Sequence, residues 1–118
     1  MDSRPQDTEA KFLCRLDEIE DGGAKNFIAT VDGKQRNIFA VRKGSGVFLY
    51  LNSCPHNRVP LDFAPGKFFS LDKRFLQCST HGALFEIKTG ECVSGPCTGD
   101  FLKALKAEIR DGALYHLP

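Results

Sequence analysis

Four residues of this chain have the types and spacing of a metal-binding set. Cys54 and His56 stand two apart in Cys54-Pro55-His56, and Cys78 and His81 stand three apart in Cys78-Ser79-Thr80-His81. Each half offers one thiolate and one imidazole. Soft thiolates suit zinc and iron–sulfur centres, and imidazole suits zinc and iron. A single Cys or His is more often a buried thiol or a packed ring, but an ordered set of four is hard to read that way. Two Cys and two His also fit a structural tetrahedral zinc site. The histidines of a zinc finger usually come together in one half, whereas here each half holds one, so zinc is the rival reading.

The elements that must position these groups read as short strands separated by glycine turns. Strands are expected at 11–19, 26–31, 37–42, 47–51, 74–77 and 83–87, with Val47 to Leu51 a continuous apolar run of the fully buried kind. Asp21-Gly22-Gly23, Gly44-Ser45-Gly46 and the stretch 88–91 are turn signals, and Asp32-Gly33 fits a two-residue hairpin turn with positive φ at both positions. In the last section Leu102, Leu105, Ala107 and Ile109 read as a strand, Asp111-Gly112 as a turn and 113–117 as the returning strand; a helix over 100–110 competes, because the same apolar residues fit helical spacing. This rhythm indicates an all-β sandwich or small barrel. Residues 1–9 read as a flexible tail and 10–118 as a single domain.

Composition narrows the function classes. The 118 residues carry a formal net charge of +1, which gives no global field for nucleic acid or an anionic membrane. No apolar stretch is long enough to span a bilayer, and Met1 to Asp7 has no apolar leader core, so a cytoplasmic protein is expected. Five cysteines are an odd number, which rules out complete pairing in disulfides. The acidic residues form no paired acid–base constellation.

The ordered set Cys-x-His and Cys-x-x-His, followed by Gly82-Ala83-Leu84-Phe85, Thr89-Gly90-Glu91-Cys92 and Ser94-Gly95-Pro96, resembles the signature of Rieske [2Fe–2S] proteins, and of small bacterial oxygenase ferredoxins in particular. The resemblance implies an all-β antiparallel fold whose cluster-binding part, about 52–97, presents two loops at one end. It implies one [2Fe–2S] cluster, with Cys54 and Cys78 on the inner iron and His56 and His81 on the outer. Replacing two thiolates by neutral imidazoles removes negative charge beside one iron and eases reduction, so Rieske potentials lie at about −150 to +300 mV against about −400 mV for plant-type ferredoxins. High-potential relatives carry Ser and Tyr hydroxyl donors where this chain has Ala83 and Phe85, and a loop-bridging disulfide where it has Val59 and Thr80. A low-potential centre is therefore expected. Pro96 corresponds to the loop that covers the cluster's third side. Flanking it, Cys92 and Cys97 read as free thiols, Cys14 as a small apolar strand residue and His116 as a surface or packing residue. The long connection 57–77, with Phe63, Phe68, Phe69, Arg58, Lys67, Lys73 and Arg74, reads as a loop tucking in its aromatics, or else as a docking surface.

The function implied is that of a one-electron carrier, not an enzyme, passing electrons from a reductase to a terminal oxygenase or another redox enzyme. The alternatives are a small Rieske-like subunit of a nitrite reductase-type complex and a structural zinc site on the same four residues. A whole Rieske oxygenase needs a second iron site with two further histidines, and the sequence has three His in all.

Overall fold

The computed structural model of the chain describes residues 10–55, 58–62, 68–70, 74–78 and 82–117. Its strands are β1 (Lys11–Arg15), β2 (Ala24–Val31), β3 (Lys34–Lys43), β4 (Gly46–Leu51), β5 (Phe75–Gln77), β6 (Leu84–Glu86), β7 (Cys92–Ser94), β8 (Ala104–Leu105), β9 (Ala107–Arg110) and β10 (Ala113–His116), with one 3-10 turn at Leu16–Glu18. They form three antiparallel sheets: β1-β10-β9, β2-β3-β4-β8 and β5-β6-β7. The all-β expectation is met. No helix among the described residues is long and apolar enough to cross a membrane.

The four-stranded sheet is the middle of the molecule. Along β3, Ile38 and Ala40 join one buried cluster while Phe39 and Val41 join another. Along β4, Leu49 and Leu51 side with the first and Tyr50 with the second. Successive strand residues point to opposite faces, so a sheet buried on both faces needs apolar residues at every position. The runs Ile38-Phe39-Ala40-Val41 and Leu49-Tyr50-Leu51 have that pattern. One face packs with Cys14 and Leu114 of the β1-β10-β9 sheet, and the other with Leu76, Phe85 and Cys92 of the β5-β6-β7 sheet.

Tyr50 ties the middle sheet to the third. Its hydroxyl donates to the Ile87 carbonyl at 2.7 Å, and burial pushes the phenol up to about 12, so it stays a neutral donor at ordinary pH. Gly90 lies against it with φ 78°, and a Cβ there would come within 2.9 Å of the Tyr50 ring. Tyr50→Phe should cost about 1–2 kcal/mol, because the Ile87 carbonyl loses its phenol donor. Thermal unfolding followed by circular dichroism should show a fall of roughly 5 °C.

Some elements differ from expectation. The first strand stops at Arg15, because the Glu18 carboxylate accepts from the Arg15 amide at 2.9 Å and closes a 3-10 turn over Leu16–Glu18. Val47 and Phe48 are half-buried, so only the second half of that apolar run is fully enclosed. Strand β7 was not expected, and the strand expected through Leu102, Leu105, Ala107 and Ile109 is divided into β8 and β9 at Lys106. Asp32 and Gly33 do adopt φ of 52° and 80°, and Asp111 and Gly112 repeat the arrangement at 50° and 75°.

Candidate metal centre

Cys54 follows β4 and Cys78 follows β5, and each opens a loop of the same construction. The Cys54 amide donates to the Val59 carbonyl at 2.8 Å, and the Arg58 amide donates back to the Cys54 carbonyl at 2.7 Å. In the second loop the Cys78 amide donates to Ala83 at 2.9 Å, and the Gly82 amide to Cys78 at 2.8 Å. The fourth residue after each cysteine is left-handed, Arg58 at φ 62° and Gly82 at φ 68°. Glycine takes that conformation freely and arginine at a cost, a strain found most often where a loop has a functional shape to keep.

Both thiols are fully buried and neither is in a disulfide. They share one buried cluster with Leu61, Phe68, Leu76, Ala83, Phe85 and Cys97. His56 and His81 fall inside the two loops, between the cysteine and the left-handed residue, but lie outside the described residues. Among the described residues no three His, Cys, Asp or Glu side chains stand together as a metal-binding group.

A third loop closes over the first two. Gly95, at φ 106°, sits so close to the second loop that a Cβ would come within 2.9 Å of the Ala83 Cα. Cys97 is buried, donates its thiol proton to the Cys92 sulfur, whose own proton goes to the Ser94 carbonyl at 3.4 Å, and feels Cys54 of the first loop. Burial foremost, with those neighbours, pushes its thiol up to about 12. Pro96 between them is exposed. Gly95→Ala combines an unfavourable φ with a backbone contact that cannot yield, and should cost on the order of 2 kcal/mol. The check is the chemical-denaturation midpoint, which should fall without a change in slope.

The first loop is also held from below. Asn52, 8% exposed, donates to Asn37 and Asp62 at 2.8 Å each, and its carbonyl accepts from the Leu61 amide at 2.8 Å. Asn26 donates to the same Asn37 oxygen and to the other carboxylate oxygen of Asp62, at 3.2 Å each. This clamp was not anticipated; its only signal in the sequence is a polar Asn between an apolar strand and Cys54. Phe68 stacks on Phe39 at 4.1 Å, so the connection does bury an aromatic. Phe63, Lys67 and Lys73 lie outside the described residues.

Two enclosed, unbridged thiols on matching loops suit a group that needs two soft sulfur ligands. The family comparison identifies that group. Residues 9–107 match the model of the Rieske [2Fe-2S] domain. The chain belongs to the Rieske [2Fe–2S] domain family. Among curated proteins, this Rieske domain is 28% identical over 105 residues to the 3-phenylpropionate/cinnamic acid dioxygenase ferredoxin subunit of Photorhabdus laumondii, covering 88% of this chain and 90% of the relative. Among solved structures it resembles the ferredoxin of carbazole 1,9a-dioxygenase from Nocardioides aromaticivorans IC177, with TM-score 0.70, 23% identity and coverage of 92% and 97% of the two chains. A chain of the complex of reduced oxygenase and oxidized ferredoxin in carbazole 1,9a-dioxygenase gives TM-score 0.72 at 21% identity, covering 92% of this chain and 93% of that one. Membership in this family favours the binuclear cluster over zinc.

Proposed function

We propose that this Rieske domain is a ferredoxin: a cytoplasmic one-electron carrier between a reductase and a terminal oxygenase, making no bond to substrate itself. The observation that carries the reading is the pair of buried thiols on two matching loops beneath a third, in a chain similar along most of its length to dioxygenase ferredoxins. The residues assigned to the cluster are Cys54 and Cys78 on one iron and His56 and His81 on the other. Residues 10–118 form one domain, with the cluster-binding part at about 52–97. When bound, the cluster supplies a one-electron redox centre. The chain's part is to hold the sulfur ligands away from water and to set the potential.

Two buried positions bear on that potential. Ala83 and Phe85 are fully enclosed and carry no hydroxyl. A donor to cluster sulfur favours the reduced state, so Ala83→Ser and Phe85→Tyr should each raise the midpoint by about 50 mV, the worth of one hydrogen bond of roughly 1 kcal/mol on a one-electron couple. Spectroelectrochemical titration reads this directly, and unchanged potentials in both variants would count against the assignment.

The function itself is tested by reductive titration of the iron-loaded protein, followed by stopped-flow mixing with an oxidised Rieske oxygenase. Uptake of one electron per chain and its transfer to the oxygenase are expected. A protein that takes up no electrons and holds one zinc per chain would overturn the proposal.

A further inference from the structure

We propose that the cleft between the β2–β3 hairpin tip and residues 103–106 binds a small organic carboxylate with an apolar body. The cleft has a volume of about 400 Å³, and its lining includes apolar Val31, Leu105 and Leu117 and polar Lys103, Lys106 and His116. That volume falls in the range of small-molecule sites, about 300–1,000 Å³.

His116 is the observation that points to a ligand. It is 8% exposed, yet its ring has no hydrogen-bond partner among the described residues. Buried polar atoms are nearly always satisfied, so an imidazole left over at a cavity wall calls for a partner inside the cavity. Burial first, and the neighbouring Lys11 second, hold its pKa below the usual histidine value. The ring is therefore neutral near pH 7 and presents one N–H donor, with its other nitrogen an acceptor.

The surrounding charges choose the sign of the guest. Asp32 faces the cleft but is engaged by Lys103 at 2.7 Å. Lys11, opposite His116 on β1, donates to the Ile28 carbonyl at 3.3 Å. Lys106 forms no ion pair among the described residues. In the lining itself the ammonium groups of Lys103 and Lys106 stand against the one carboxylate of Asp32, which leaves a positive surplus, and the imidazole N–H and Lys106 are donors suited to one carboxylate. Val31, Leu105 and Leu117 in the lining favour an apolar body over a hydrophilic anion such as phosphate.

The test is a titration of the cluster-loaded protein with sodium benzoate, followed by the methyl resonances of Val31, Leu105 and Leu117. Saturable shifts at those methyls are expected, with benzyl alcohol binding at least about tenfold more weakly. Lys106→Gln, an exposed change, should weaken benzoate about tenfold, the loss of one charge-assisted contact. Non-saturating shifts, equal binding of the alcohol, or a Lys106→Gln variant with unchanged affinity would each overturn the site and leave the cleft to water. The measurement does not depend on electron transfer, so its outcome is separate from that of the ferredoxin reading.

Discussion

Cys78→Ser should abolish the cluster, and Cys54→Ser should do the same. A serine oxygen is a hard donor that stays protonated at neutral pH, whereas an iron–sulfur centre is held by thiolates. Both positions are fully buried and open their loops through their own backbone amides, which fix where each side chain stands in its turn. The visible absorbance and bound iron should fall to background in either variant. Cys92→Ala and Cys97→Ala should keep both, because those thiols are hydrogen-bonded to one another, one on β7 and one on the covering loop, and are not among the proposed ligands. Iron content and the visible spectrum of the four purified proteins decide the matter. Retention of the cluster by Cys54→Ser, or its loss in Cys97→Ala with the fold intact, would reassign the ligands.

Much of the fold is legible in the sequence because its turns are chemically explicit. Asp32-Gly33 and Asp111-Gly112 force two hairpins, and the strands on either side follow. The competition between helix and strand over 100–110 is resolved by parity. Leu102 packs into the cluster containing Cys54 and Cys78, while Leu105 packs against the opposite one. Residues three apart share a helix face but lie on opposite faces of an extended chain. The same spacing fits both templates, so only the two-sided burial of the middle sheet could tell them apart. Strand β7 escaped notice because Cys92-Val93-Ser94 is too short to show a period, and its partner is chosen by the tertiary fold.

The proposed ligands are legible as residue types, whereas the shape of the loops that carry them is not. Cysteine chemistry and the split spacing single out Cys54 and Cys78, and the family match supports the cluster. Nothing in the string reveals that the two loops repeat one hydrogen-bond plan, because the left-handed position is a glycine in one and Arg58 in the other. The close approach of Gly95 to Ala83 is likewise invisible, since those residues meet only when the third loop folds over the second.

Asn52→Ala should be strongly damaging although Asn52 is none of the proposed ligands. The Asn52 amide satisfies three partners at 2.8 Å: the Asn37 and Asp62 side chains and the Leu61 amide. Alanine leaves the buried Leu61 N–H without its acceptor, which alone costs about 1–3 kcal/mol, and removes the shorter of the donors to Asn37 and Asp62. A total near 3 kcal/mol corresponds to a melting temperature lower by on the order of 10 °C for a domain of this size. Leu61 follows the first cysteine loop by two residues beyond Val59, so the damage should reach the metal. Cluster release under a chelator should quicken well before global unfolding, as local opening demands less than the whole domain. Asn52→Asp separates clamp from bulk: it keeps the Leu61 acceptor but sets a carboxylate against Asp62, and should fall between wild type and alanine at pH 7. If both variants melt as wild type does and hold iron as long, the first loop owes its shape to its own turn alone.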